Sequence, residues 1–166
     1  MNCVLHDISV PRIVRVNTLS DDVRKYTERD RYHVILTNPP FGGTENVDAI
    51  RDNFRYPSSA TSILFLQHIM ARLRRDGRAG MVIDEGVLFK AGERAYVDTK
   101  RELLEECNLY AAISLPAGVF ANVTASGEIL PHCVPFSSRF AGSSVWRSGN
   151  WSPGKGERSV RQDACC

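Results

Sequence analysis

The sequence has no apolar run approaching the roughly 20 residues that cross a bilayer, so no transmembrane helix is expected. Its start, Met1-Asn2-Cys3-Val4-Leu5-His6-Asp7, lacks both a basic opening and a long apolar stretch. A signal peptide is therefore not expected, and a cytoplasmic location follows by default. Cysteine is present but unorganised. Cys3, Cys107 and Cys133 are far apart, Cys165-Cys166 are adjacent, and no C-x-x-C or His-paired spacing occurs. That excludes a disulfide framework and a zinc site, and no metal is expected. Charge of one sign is also lacking: a net +2 is too small to argue for nucleic acid by itself. There are no internal repeats.

What remains is an ordinary globular composition. With 166 residues, 43% hydrophobic and 24% charged, the chain can build one domain around a real core. Its most informative stretch is Asn38-Pro39-Pro40-Phe41. An apolar, β-branched run, His33-Val34-Ile35-Leu36-Thr37, precedes it and reads as a buried strand. Neither proline has an N–H, so the ladder stops there and Asn38 and Phe41 are presented at the strand's C-terminal edge, where open α/β sheets bind ligands. The Asn38 side-chain carbonyl and the Pro39 main-chain carbonyl are two acceptors that can hold an exocyclic NH2. Phe41 offers a face on which a base stacks, worth about 1–3 kcal/mol. The same tripeptide also serves as a plain turn after a strand.

Along the chain, Ile13-Val14-Arg15-Val16 reads as a short strand closed by Asn17-Thr18, and residues 44–59 as a loop. Ser62 to Arg75 has the clearest helical period, with Leu66, Ile69, Met70 and Leu73 on one face. Thr61 or Ser62 can cap its start, and Gly77 can stop it. Arg72, Arg74 and Arg75 in its last turn read as a solvated helix end rather than a phosphate contact. Ala79 to Ile83 reads as a second buried strand, Glu93 to Cys107 as a second helix with Asn108 as a left-handed cap, and Leu109 to Leu115 as a third strand. This alternation predicts parallel pairing in an α/β layered sheet.

From Gly127 onward the pattern dissolves. Gly, Ser and Pro make up 15 of the last 40 residues, with no surviving period, so residues 128–166 are expected to be poorly ordered beside a domain of residues 1–127.

The motif Asn38-Pro39-Pro40-Phe41-Gly42-Gly43 after a hydrophobic strand resembles the catalytic motif of N6-adenine DNA methyltransferases. Further segments follow in order: Phe65–Met70, Gly77–Ile83, Glu85–Phe89, Arg101–Glu105 and Ile113–Phe120. Together they resemble the modification subunit of type I restriction-modification systems, over roughly residues 1–127. The resemblance implies a Rossmann-like methyltransferase sheet with flanking helices, S-adenosylmethionine as cofactor, and DNA as substrate with the target adenine flipped out. It also implies a specificity subunit and a restriction subunit as partners. By resemblance Asn38 and Pro39, within the catalytic Asn38–Phe41 motif that includes Pro40, hold the N6 amine, and Phe41 stacks on the base. Phe120 supplies a second wall, its alternative being an ordinary core Phe. Asn17-Thr18 falls near the cofactor adenine, where the family often has Asp. No protein nucleophile is required. Alignment supplies about 7–11 kcal/mol in favourable cases, and base extrusion costs a few kcal/mol.

The departures are specific. Residues 1–37 contain no glycine, so the family's glycine-rich cofactor turn and its strand are missing. Asp84 stands where the family usually has Pro, and the Lys-Thr-Asn final strand is absent after Gly127. A partial fold of this kind predicts a fragment that is weakly active or inactive alone. Two other readings stay open: a non-catalytic scaffold whose exposed sheet edges favour association, and a methyltransferase acting on RNA or a protein amide.

Overall fold

The structure is a computed structural model and describes residues 2–8, 10–116 and 132–138. Its helices are α1 (Asn2–Leu5), α2 (Val47–Ile50), α3 (Thr61–Arg72), α4 (Glu85–Phe89) and α5 (Arg94–Glu106). Its strands are β1 (Tyr32–Thr37), β2 (Leu73–Ile83), β3 (Cys107–Leu109), β4 (Ile113–Ser114) and β5 (His132–Ser138). Among the described residues no helix is long and apolar enough to cross a membrane.

The strands form one sheet in the order β1-β2-β5-β3, with β4 also on β5. β1 and β2 are parallel, in register Leu36↔Gly80 and Thr37↔Met81, and α3 is the crossover between them. β5 is antiparallel to β2 and to β3. The sheet is therefore mixed rather than all-parallel.

One face carries the core. Alternate β2 residues Ala79, Met81 and Ile83 are buried with Phe136 of β5 against Leu66 and Ile69 of α3 and Leu103 of α5. The helix α3 is buried on more than its apolar stripe, because Gln67 and His68 are buried as well. The turns Thr18–Ser20 and Val23–Lys25 pack on its other side with Leu19 buried. The 44–59 segment closes the wrap. It is no open loop, since Val47–Ile50 and Arg51–Asn53 are helical turns, and Ile50 and Phe54 are buried. The Gln67 side chain accepts from the Tyr56 N–H at 3.0 Å and donates to its carbonyl at 2.8 Å, holding this segment to the helix.

Several expectations from sequence are corrected. Among the described residues β1 is an edge strand, not a buried one: Val34 and Leu36 are 64% and 79% exposed, and Tyr32, beyond the register shift, is 54% exposed. Among the described residues it pairs only with β2. Residues 13–16 make no strand, and Ile13, Val14 and Val16 are exposed, with no strand beside them among the described residues. The helix α3 ends at Arg72, and the chain enters β2 at once with a register shift between Tyr32↔Leu73 and Val34↔Arg78. The left-handed turn inside that shift falls on Asp76, at φ 59°, and not on a glycine. Gly77 serves close approach instead: a Cβ there would lie 2.7 Å from the Arg74 carbonyl oxygen. Asn108 is no left-handed cap, because Cys107 is already extended and α5 runs straight into β3. The strand expected over 109–115 is divided between β3 and β4.

The largest difference lies past residue 127. β5 stands where no strand was expected, in the sheet's interior, with Phe136 fully buried. The sequence signal is weak because Pro135, which has no N–H to donate, and Ser137-Ser138 interrupt an otherwise apolar run. Although the Lys-Thr-Asn motif is absent, a strand does follow Gly127. Phe120 and the rest of 117–131 and 139–166 lie outside the described residues.

Candidate active site at the end of β1

Asn38 is the first residue beyond β1. The register Thr37↔Met81 puts it level with the last turns of β2, so both strands open on the same edge. Pro39 is buried, Asn38 and Pro40 are exposed, and Phe41 is half-buried. The buried proline anchors the segment, with Asn38 exposed beside it. Gly42 then turns the chain in the left-handed region, φ 66°, with nothing within 4 Å of where a Cβ would be.

The loop is tied to the start of α3. The Thr61 N–H donates to the Gly43 carbonyl at 3.1 Å, and the Thr61 hydroxyl lies 3.1 Å from that oxygen and 3.5 Å from the Pro40 carbonyl. A Thr44↔Ala60 bridge and a Glu45 N–H to Ser59 carbonyl bond of 2.8 Å continue the pairing. The N-cap is Ala60, which makes no side-chain bond. Contrary to the expectation from sequence, neither Thr61 nor Ser62 caps the helix. They lie inside its first turn, and their hydroxyls are used elsewhere.

The Ser62 hydroxyl donates to Asp84, and Asp84 also caps α4, accepting the Val87 N–H at 3.2 Å. Asp84 thereby joins the end of β2 to the first turn of α3. A cleft of about 580 Å3 opens here, lined among others by Gly42, Gly43, Ser62, Asp84, Phe89 and Tyr96. On its rim Lys90 pairs with Glu93 and sits 4.8 Å from the Tyr96 ring centroid. Burial pushes the Tyr96 phenol up from its ordinary range.

A cavity of similar size, about 570 Å3, lies at the opposite end of the sheet, beside Leu73 and Cys107 where β2 and β3 begin. Of the four arginines that line it, Arg24, Arg31 and Arg55 pair with Asp22, Glu28 and Glu102. It is remote from Asn38. Arg72, read from sequence as part of a solvated helix end, instead stacks over Tyr26 at 4.4 Å and Tyr32 at 5.0 Å.

The profile of the N-6 DNA methylase family matches residues 1–131. The chain belongs to that family. Among curated relatives, the type I restriction enzyme EcoEI methylase subunit of Escherichia coli is 44% identical over 122 residues, covering 72% of this chain and 24% of the relative. The EcoKI methylase subunit of Escherichia coli strain K12 is 36% identical over 125 residues, covering 72% of this chain and 22% of the relative. The crystal structure of that EcoKI M protein superposes with a TM-score of 0.67 at 31% identity, over 84% of this chain and 28% of that one. A structure describing assembly and conformational transition of a type I R-M system gives 0.70 at 42% identity, over 82% and 27%. The chain thus spans about a quarter of the length of the curated relatives it matches. The α/β methyltransferase architecture expected from sequence is the observed one, in partial form.

Within this family the fold implies S-adenosylmethionine, and the described residues do not by themselves build a seat for it. The Asn17 side chain accepts the Leu19 N–H at 3.1 Å, so its oxygen caps its own turn. That turn is held to the 44–59 segment by Asn53, whose amide donates to the Ser20 carbonyl at 2.9 Å. Neither Asn17 nor Thr18 lines the cleft beside Gly42 and Gly43. Asn38, Pro39, Pro40 and Phe41 are consecutive residues that lead into the cleft at Gly42 without lining it, and Asn17 and Thr18 sit on a separate turn. Sequence reasoning missed Thr61, Ser62 and Asp84 as parts of this edge. The available signals were two hydroxyls at the start of a helix and an aspartate in a family proline position.

Proposed function

We propose that this chain is the part of a type I modification subunit that grips the target adenine, and that the protein methylates adenine N6 in DNA. The exposed Asn38 amide at the open end of β1, beside the Pro39 carbonyl and Phe41, carries this reading. Two oxygens at that edge accept the two amine hydrogens and direct the nitrogen lone pair outward, and the Phe41 ring stacks on the extruded base. Asn38 positions and polarises; it needs no basicity. S-adenosylmethionine, when bound, supplies an activated methyl group. DNA, a specificity subunit and a restriction subunit are the partners, in the cytoplasm.

The reading is tested by transfer of labelled methyl from S-adenosylmethionine to unmethylated adenine-containing duplex, with and without a specificity subunit. RNA of the same sequence serves as control. Asn38→Ala is expected to lower transfer at least about 100-fold; unchanged transfer removes Asn38 from the mechanism. A second reading rests on the uncovered outer face of β1: a non-catalytic subunit-interaction module. It predicts binding to the specificity subunit without transfer under any of these conditions.

A further inference from the structure

We infer that Thr61 is the positioning residue for the Asn38-Pro39-Pro40-Phe41 segment, acting from the first turn of α3; this rests on reading that segment as the methylation site. Thr61 is 5% exposed, and α3 is packed on both sides, so its first turn is a fixed reference within the molecule. Both of its polar groups point at the loop. The N–H donates to the Gly43 carbonyl at 3.1 Å, and the hydroxyl hydrogen is aimed at the same oxygen at 3.1 Å, with the Pro40 carbonyl at 3.5 Å. One side chain thus faces the carbonyls at the two ends of Pro40–Gly43, with Phe41 between them.

The glycines show why the tie matters. At Gly43 a Cβ would lie 2.8 Å from Thr61 Oγ1, so the approach is too close for any other residue without displacement. At Gly42 the chain turns in the left-handed region, φ 66°, with open space where a Cβ would stand. The loop on either side of Gly42 is gripped by the buried Pro39 and by Thr61 at the helix, and the Thr44↔Ala60 bridge continues the hold. The next residue extends the frame: Ser62 bonds Asp84 at the end of β2. Two consecutive hydroxyls of one helical turn therefore reference the ends of both parallel strands to each other. In a reaction governed by alignment, a displacement of about 1 Å at the gripping edge costs on the order of 100-fold in rate.

Two variants separate positioning from plain folding support. Thr61→Val keeps the shape and deletes the hydroxyl; Thr61→Ser keeps the hydroxyl. Hydrogen exchange of the chain alone is read at the Glu45 and Thr61 amides and, separately, across 64–72. Methyl transfer is read in the complex with a specificity subunit. Thr61→Val is expected to raise exchange at Glu45 and Thr61 about tenfold with 64–72 unchanged. It is also expected to lower kcat about 10- to 100-fold with KM for DNA within about twofold; Thr61→Ser restores both. Wild-type exchange and kcat in Thr61→Val, equal impairment in both variants, or exchange rising in parallel across 64–72 would each overturn the inference. A wild-type complex that transfers no methyl overturns the methylation reading instead. The exchange arm then decides the tie alone, and unchanged exchange in Thr61→Val sinks it.

Discussion

His68 sits in α3 and is 8% exposed, with Tyr26 as its neighbour: the Tyr26 hydroxyl is 3.4 Å from Nδ1, and the two rings meet edge-on at 5.6 Å. Burial, followed by the nearby Arg72 guanidinium, lowers its pKa from 6.5 to about 4. The imidazole is thus neutral in the folded protein where the unfolded chain would protonate it. Below pH 6.5 the unfolded state binds the extra proton, so stability is complete above 6.5 and is lost as pH falls towards about 4. The shift corresponds to about 2–4 kcal/mol. Asp22, held down to about 2 by its bond to Arg24, loses its contribution only below its ordinary 3.8, so the two windows do not overlap. Denaturant titrations at pH 7.5, 6, 5 and 4.5 should show the decline in wild type and a flatter profile in His68→Gln. Identical slopes in both proteins would show that His68 titrates normally. On the alkaline side, burial pushes the Tyr26 phenol up to about 12. A histidine on a mostly apolar helix is thus a core residue with a satisfied environment, and no catalytic base is needed from it.

At the scale of elements, what was legible in the sequence was whatever depends on neighbours close in the chain. The strand of β1, the crossover helix α3 and the helix α5 were visible as period, because each repeats its own apolar spacing. What depends on distant neighbours was not. The run Val34-Ile35-Leu36 reads as buried, yet only its inner side is covered; residues 13–16 have strand composition and no partner. The site divides the same way. Asn38–Phe41 was legible because it is four contiguous residues, whereas the Thr61 and Asp84 contacts join positions 18 and 22 residues apart. The free edge of β1 has a consequence of its own. Unpaired N–H and C=O groups beside exposed apolar side chains favour association between copies. Val34→Lys is expected to change unfolding free energy by less than about 0.5 kcal/mol, since the side chain is already in solvent, while shifting sedimentation towards monomer. A loss of more than about 1 kcal/mol would mean that Val34 is covered in solution.

At the scale of the whole molecule, the sheet is held together by a strand that its own sequence hardly announces. β5 is the one element paired to β2, β3 and β4. Without it β3 and β4 have no ladder among the described residues, and α5, which leads into β3, loses its anchor at that end. Phe136 is the side chain that seats it: fully buried, it meets Leu66 of α3, Met81 and Ile83 of β2, Leu103 of α5 and Leu109 of β3 around one small apolar cavity. A phenylalanine touching a helix–strand–helix sandwich from a strand with a proline beside it is a tertiary event, and neither propensity nor period encodes it. Phe136→Ala removes the plug. The cavity cannot close easily, because its other walls come from five separate elements, so the cost belongs at the upper part of the range for a buried aromatic, about 3–5 kcal/mol. The loss should appear in denaturant midpoint with the m-value retained, and the parallel pair β1–β2 should keep its exchange protection longer than β3. If Phe136→Ala instead unfolds within about 0.5 kcal/mol of wild type, then residues 132–138 do not occupy the centre of the sheet, and β1 and β2 with α3 form the whole of the stable body.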